Sequence, residues 1–244
     1  MRKKTPESND QPFPALDGLD WKTAEEDLNA FGYSHIRKVV RPADCHELIQ
    51  LYADETRFRR RIVMEQYNFG VGDYAYFAEP LPGIVLALRT HLYQRLVPIA
   101  NRMMEALRLK HAYPPTLNQF RKRCHAAGQT KPTPLMLHYE VNGFNCLHRD
   151  LYGPTVFPLQ AMVLLSEKGE DFEGGEFVLV ENRPRQQSRV TVLNPNLGDL
   201  IIFPVSDRPV PGKRGFLRAS MRHGVSRIHT GKRWALGIIF HDAK

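Results

Sequence analysis

Three cysteines in 244 residues, Cys45, Cys124 and Cys146, are too few and too widely spaced for a disulfide framework or a cysteine zinc site. An odd count at that spacing suits a reducing compartment, so the expectation is a cytoplasmic protein. No apolar run approaches the ~20 residues needed to span a bilayer, so a membrane partner is not expected. The opening segment, Met1-Arg2-Lys3-Lys4-Thr5-Pro6-Glu7-Ser8-Asn9-Asp10, has no apolar stretch and does not read as a secretory signal. Internal repeats and low-complexity tracts are missing too. Acid is also short: 26 Asp and Glu face 34 Lys and Arg, for a formal net charge of +8.

What is present fits a folded domain. A hydrophobic content of 42% with 25% charged residues, at this length, allows a substantial core. The surplus of cations admits a solvated basic surface or a polyanionic partner. Its clustering points to the second. Arg57-Phe58-Arg59-Arg60-Arg61, Arg121-Lys122-Arg123, Arg183-Pro184-Arg185, Lys213-Arg214 and Arg218 place cations beside aromatics or in loops, as a nucleic-acid surface requires.

The chain divides by pattern. Residues 1–15 are polar and proline-bearing, and are expected to be disordered. Residues 16–244 read as one domain, with 16–134 mainly helical. Thr23-Ala24-Glu25-Glu26 resembles a capping box for a helix that stops at Gly32. Tyr33 to Val40 suggests a strand, and Pro42 opens a helix reaching about Glu55. Apolar spacing at Leu88, Leu92, Leu96, Ile99, Met103 and Leu107 predicts a helix over 84–109, broken in two by Pro98. Pro114-Pro115-Thr116 opens another helix through about Ala126. From Leu135 the character changes to short β runs at 135–141, 157–166, 176–180, 190–193, 199–203 and 234–240. Strands at this spacing predict a sandwich or jelly roll with the helices over one sheet, an α+β fold.

His148-Arg149-Asp150 and the distant His223 carry the chemistry. Two His and one carboxylate make a facial triad that holds non-haem Fe(II) and leaves the opposite face open. In a strand, residues i and i+2 share a face, so His148 and Asp150 can address one metal while Arg149 points away. Arg233 heads the apolar strand Trp234-Ala235-Leu236-Gly237-Ile238-Ile239-Phe240. A guanidinium there is best explained by a buried anion, whose carboxylate its planar fork would match. Arg227 is a reserve for that role. His91, His111, His125 and His241 are taken as surface or core residues.

The stretch His223-Gly224-Val225-Ser226-Arg227-Ile228-His229-Thr230-Gly231-Lys232-Arg233 resembles the tail of 2-oxoglutarate/Fe(II) oxygenases, in which the Arg pairs with the far carboxylate of 2-oxoglutarate. A longer set agrees: His148-Arg149-Asp150-Leu151-Tyr152-Gly153, Phe157-Pro158-Leu159-Gln160, Gly174-Gly175-Glu176-Phe177, Arg208-Pro209-Val210 and Ile239-Phe240-His241-Asp242. Together these resemble the bacterial oxygenases assigned to oxidative demethylation of damaged nucleic-acid bases. The resemblance runs from about Arg57 to the C-terminus. It implies a double-stranded β-helix (jelly-roll) core, Fe(II) on His148, Asp150 and His223, and 2-oxoglutarate on Arg233, with O2 as the other cosubstrate. Tyr139, nine residues before His148, matches the Y-x(8)-H-x-D arrangement of prolyl-hydroxylase-like and AlkB-type oxygenases, where the phenol can help to bind 2-oxoglutarate. Asn142 departs from the AlkB pattern, which has Gly there.

The implied reaction yields succinate, CO2 and formaldehyde. Its substrate would be a base in single-stranded or flipped-out form, because a stacked base cannot reach such a pocket. Phe69-Gly70-Val71-Gly72-Asp73-Tyr74-Ala75-Tyr76-Phe77 offers Tyr74 and Tyr76 for stacking, beside Arg59 and Arg60. The alternative is a hydroxylase of a protein side chain or small molecule, since the spacing to Arg233 is nearer that of prolyl hydroxylases. A binding module without activity would leave the triad and its Arg unexplained. Nothing in the sequence calls for an obligate protein partner.

Overall fold

A computed structural model describes residues 14–244. The disordered tail expected over 1–15 lies outside them, except for its last two positions, which open helix α1 (Pro14–Asp17). In chain order there follow α2 (Trp21–Phe31), β1 (Ser34–Ile36), α3 (Pro42–Leu51), β2 (Phe58–Val63), β3 (Gly70–Val71) and β4 (Asp73–Phe77). Next come α4 (Gly83–Ala106), α5 (Leu117–Ala126), β5 (Leu135–Tyr139), β6 (Phe144–His148), β7 (Leu159–Leu164) and β8 (Phe172–Gly174). The chain continues through β9 (Phe177–Asn182), β10 (Arg189–Leu193), β11 (Leu200–Pro204) and β12 (Asp207–Gly212). It closes with β13 (Gly215–Val225), β14 (Ile228–Gly231) and β15 (Arg233–Ile238).

Local signals set most helix ends. Asp20, not Thr23, caps α2: its carboxylate accepts from the N–H groups of Lys22 and Thr23, both at 3.1 Å, so the helix opens ahead of the expected box. It stops at Gly32 as expected. Thr116 caps α5 through the N–H of Gln119 at 3.3 Å. Helix α3 ends at Leu51, short of Glu55, because Asp54 starts a separate 3-10 turn over Glu55–Arg57. Pro98 does not break α4, which runs unbroken from Gly83 to Ala106. Leu88, Leu92 and Leu96 before the proline and Ile99 and Met103 after it are all buried in one core, and this packing outweighs the lost backbone hydrogen bond.

Two antiparallel sheets form the jelly roll. The larger has the order β1-β11-β7-β15-β5-β4-β2, the smaller β10-β9-β13-β6-β3, with β12 paired to β13. Period-two alternation sorts the side chains of the larger sheet. Ala161 and Val163 of β7 and Leu236 and Ile238 of β15 face a core shared with α4 and α5. Met162, Leu164 and Ala235 face the other way, against Phe177, Leu179 and Met221 of the smaller sheet. The helices thus cover one face of the larger sheet, and the space between the sheets is left for a site.

The first half supplies β1 to β4 as well as the helices, and these strands extend both sheets. Only Ser34–Ile36 of the expected Tyr33–Val40 strand pairs, with β11; Val39 and Val40 instead donate to the Gly198 carbonyl at 2.9 and 3.0 Å. Strand β3 reaches β6 through Gly70, where a Cβ would lie 2.2 Å from the Phe144 carbonyl oxygen. No helix of the described residues is long and apolar enough to cross a membrane.

Candidate active site

Strand pairing assembles the three candidate metal ligands. β13 runs antiparallel to β6, with His223 directly opposite His148, and their rings lie 4.2 Å apart. Asp150 follows two residues past the end of β6, and Arg149 turns away to donate to the Met221 carbonyl at 3.2 Å. His148 Nε2 is 3.6 Å from Asp150 Oδ1, and His223 Nε2 is 3.3 Å from Asp150 Oδ2. One donor atom from each of the three lies within 4.8 Å of the others. His148 Nδ1 lies 2.8 Å from the Cys146 carbonyl; donating there leaves Nε2 with its lone pair toward the cluster.

Asp150 is held firmly. Burial, the largest influence, pushes its carboxyl up, but the hydrogen bond from His223, the charges of both histidines and the Tyr152 hydroxyl together bring it well below the usual range. Tyr152 donates to Asp150 Oδ1 at 2.7 Å, and Tyr76 donates to Tyr152 at 3.1 Å. His241 Nε2 lies 3.2 Å from the Asp150 carbonyl oxygen, and the Phe157 N–H donates to His241 Nδ1 at 3.4 Å. Burial takes His241 down to about 4, so it is neutral at pH 7 and Nε2 is the donor to Asp150. His241 therefore belongs to the core, as expected, but its partner is the backbone of a candidate ligand.

The inner chamber of about 60 Å³ is lined by all three ligands together with Tyr139, Asn145, Gln160 and Arg233. Arg233 pairs in register with Tyr139 on the neighbouring strand and is 1% exposed. Its Nε and Nη2, one edge of the guanidinium fork, have no hydrogen-bond partner. Burial pulls this group down to about 10, which leaves it charged at neutral pH. A buried cation without an anion is costly, and a bound carboxylate would relieve it. Tyr139 is fully buried; its oxygen accepts from Asn145 Nδ2 at 3.2 Å. Burial lifts its phenol to about 12, so the hydroxyl keeps its proton and can donate. Two imidazoles and a carboxylate with an open side suit Fe(II), and an orphaned guanidinium beside a phenol suits a dicarboxylate. Arg227, the reserve, instead lies exposed and donates to the Asn142 carbonyl at 3.3 Å.

A second cavity of about 300 Å³ opens outward from the ligands, lined by Asn68, Phe69, Tyr74, Leu147, His148 and Tyr152 among others. Of the residues expected to meet substrate, Tyr74 lies here. Phe69 of this cavity stacks on Tyr67 with ring centroids 5.5 Å apart; both are exposed, and Arg60 donates to the Tyr67 hydroxyl at 3.3 Å. Tyr76 does not offer a stacking face. It is 8% exposed, with the Arg59 guanidinium 4.4 Å above its ring and its hydroxyl on Tyr152. Arg59 in turn donates to the Pro132 carbonyl at 2.8 Å, so Tyr76 and Arg59 brace Tyr152 and through it Asp150. Tyr67, Leu147, Asn145 and the bond from Tyr152 to Asp150 were not singled out from sequence; only the position of Tyr152, two residues after Asp150, was a signal for the last.

Several basic clusters prove to be internal ion pairs. Arg61 is taken by Asp73 at 3.0 Å, Arg121 by Asp242 and Glu79, and Arg183 and Arg208 by Glu181, each at 2.6 Å. Arg208 also donates to the carbonyls of Leu28 and Asn29 and so ties the end of α2 to the smaller sheet.

This fold and this site define an oxygenase that depends on Fe(II) and 2-oxoglutarate, with O2 as its other cosubstrate. The chain belongs to the Oxygenase-NA family, described as an oxygenase catalysing oxidative methylation of damaged DNA, whose sequence profile matches residues 72–243. An uncharacterised protein of Mycobacterium tuberculosis, found in strains H37Rv and CDC 1551, is 46% identical over 167 residues, covering 68% of this chain and 72% of that protein. In fold the chain is similar to a 2OG-Fe(II) oxygenase family oxidoreductase from Burkholderia pseudomallei (TM-score 0.52, 14% identity, 93% of each chain). It is also similar to a prolyl 4-hydroxylase from Phytophthora capsici (TM-score 0.54, 15% identity, 93% of this chain and 64% of that one).

Proposed function

We propose that this enzyme removes methyl groups oxidatively from alkylated bases in single-stranded or flipped-out nucleic acid. His148, Asp150 and His223 hold Fe(II), and Arg233 with Tyr139 holds 2-oxoglutarate. The observation that carries the substrate class is the outer cavity, which His148 and Asp150 line together with exposed Phe69, and Phe69 stacks on exposed Tyr67, whose hydroxyl accepts from Arg60. Exposed aromatics next to a cation suit a base and its phosphate, and a cavity of about 300 Å³ is within the range of small-molecule sites. The three cysteines are free, in keeping with a cytoplasmic enzyme.

The metal, when bound, supplies the oxidation of a C–H bond by O2 at the expense of 2-oxoglutarate. The sum balances: N–CH3, O2 and 2-oxoglutarate give N–CH2OH, succinate and CO2, and the hydroxymethyl group then leaves as formaldehyde with restoration of N–H. Oxidation at a methyl carbon attached to nitrogen thus ends in its removal. Arg233 fixes the distal carboxylate of 2-oxoglutarate by its free Nε and Nη2, and Tyr139 donates a second hydrogen bond. Tyr152 and His241 keep Asp150 in place from two sides, and the apolar walls at Leu135, Leu137 and Phe203 exclude water.

The test is anaerobic protein loaded with Fe(II) and 2-oxoglutarate, exposed to O2 and a panel of N-methylated oligonucleotides. Succinate and formaldehyde should form in equal amounts with a methylated strand and disappear in Asp150→Ala. Binding of the wild type to single strands should weaken steeply with salt. No affinity for nucleic acid at low salt, together with hydroxylation of a proline-containing peptide, would replace this reading by the side-chain hydroxylase.

A further inference from the structure

Resting on the nucleic-acid reading above, we infer that the β12–β13 hairpin is a second contact point for the strand, which leaves the outer cavity along a groove that borders the foot of the hairpin. The hairpin tip holds Lys213, Arg214, Phe216, Leu217 and Arg218 within six positions. Phe216 is 56% and Leu217 45% exposed, and neither lies in a core cluster. Lys213 and Arg214 have no carboxylate partner among the described residues, and Arg218 has only Asp207, at 3.5 Å. Arg61, Arg121 and Arg183 of the other basic clusters are held by internal carboxylates, whereas the charges of Lys213 and Arg214 are not.

A groove borders both the segment that follows Asp150 and the foot of the hairpin. This groove, of about 460 Å³, is lined by Leu151, which follows the ligand Asp150 and is 51% exposed, by Pro154 and Tyr113, and by Val205 and Asp207 at the foot of the hairpin. Its edge carries His111 and Arg123. Along β13 itself, seven residues separate His223 from Phe216, or about 23 Å at the rise of an extended strand. A nucleic-acid strand at ~3.4 Å or more per nucleotide crosses that distance in about seven nucleotides or fewer. Phosphates meeting Lys213 and Arg214, with a base against Phe216, satisfy the charge and the exposed ring together. The occupant is therefore the stretch of the substrate strand beyond the damaged base.

The experiment compares single strands of about 4 and about 15 nucleotides, each with one N-methylated base, on the protein loaded with Fe(II) and 2-oxoglutarate. One variant combines Lys213→Ala, Arg214→Ala and Phe216→Ala; a second carries only Lys213→Glu and Arg214→Glu and keeps the ring. Thermal unfolding checks that both are folded. The wild type should bind the long strand at least tenfold more tightly than the short one. Both variants should lose most of that gain, with the salt slope flattened by roughly 1.4 for two lost phosphate contacts. Formaldehyde release from the short strand should be unchanged, because no residue near the iron is altered. Folded variants that bind the long strand as the wild type does would overturn the hairpin contact and leave the demethylase reading intact. A wild type that binds neither strand would overturn both.

Discussion

Arg233 holds the sharpest energetic tension in the molecule. A charged guanidinium is 1% exposed and two of its N–H groups lack partners, an arrangement that costs stability until an anion arrives. Replacing it with a similarly long apolar side chain should therefore separate binding from folding. Arg233→Met is expected to weaken 2-oxoglutarate binding by about 1.5–3 kcal/mol, roughly tenfold to over a hundredfold, because a bidentate charge-assisted pair is lost. The ligand-free variant should melt no lower than the wild type, since the unpaired charge has gone with the pair. Thermal unfolding titrated with 2-oxoglutarate reads both effects: a large shift in the wild type, little in the variant. A variant that melts many degrees lower without ligand, yet keeps the ligand-induced shift, would show that Arg233 is a packing residue. The same residue was visible in the sequence because a lone Arg at the head of an apolar strand has no ordinary partner. Tyr76 was not interpretable that way. Alternating Tyr74 and Tyr76 fit an exposed strand equally well, and only the position of Arg59 over the second ring shows that it is covered.

At the scale of elements, the strands that carry apolar runs were legible, and those that carry charge or glycine were not. β7 (Leu-Gln-Ala-Met-Val-Leu), β11 (Leu-Ile-Ile-Phe-Pro) and β15 (Arg-Trp-Ala-Leu-Gly-Ile) are mostly apolar runs that are almost wholly buried, which any pattern reading finds. β2 reads Phe-Arg-Arg-Arg-Ile-Val, and the long β13 mixes exposed Phe216 and Leu217 with Arg218, Ser220, Arg222 and His223, so neither shows a regular apolar alternation. The metal set was legible because its ligands are chemically rare in combination, while the register that brings His223 opposite His148 depends on long-range pairing that no local pattern encodes. The turn before β9 is where an element sets the site. Gly175 has φ +62°, and a Cβ there would lie 2.8 Å from Arg233 Cδ and 2.4 Å from Ile228 Cδ1. Gly175→Ala should thus cost about 1–2 kcal/mol from the left-handed backbone alone. It should also raise the 2-oxoglutarate requirement by displacing the Arg233 stem, although every donor remains. Denaturant unfolding and a 2-oxoglutarate titration measure the two parts. A stability loss with unchanged 2-oxoglutarate dependence would mean that Ile228 alone gives way.

The whole molecule is braced by a polar knot between the helical layer and the end of the chain. Asp242, fully buried, accepts from Arg89 of α4 at 2.7 Å and from Arg121 of α5 at 3.0 Å, with His125 Nε2 at 2.9 Å. Arg89 also donates to the carbonyls of Ile239 and Phe240, at 3.0 and 2.9 Å, so two helices grip the segment that follows β15. His241, within that segment, touches the backbone of Asp150, which makes the knot the link between helical packing and the metal ligands. Burial, the largest influence, pushes the Asp242 carboxyl up, but the charge and hydrogen bond of Arg89, with Arg121 and His125, bring it below its ordinary value. A carboxyl lowered on folding stabilises the native state above its unfolded pKa of about 3.9 and loses that contribution as pH falls through the folded value. Asp242→Asn removes the charge and leaves Arg89 buried without its counter-ion, which should cost about 3–5 kcal/mol at pH 7. Below about pH 4 the gap between wild type and variant should begin to narrow as the unfolded chain takes up the proton. It should close only once pH falls through the lower folded value and the native carboxyl is protonated as well. Urea unfolding of both proteins from pH 7 to pH 3 gives the comparison directly. A stability gap that stays constant across that range would assign the loss to altered shape at the knot, and would remove the ion pair from the account of what joins the helices to the site.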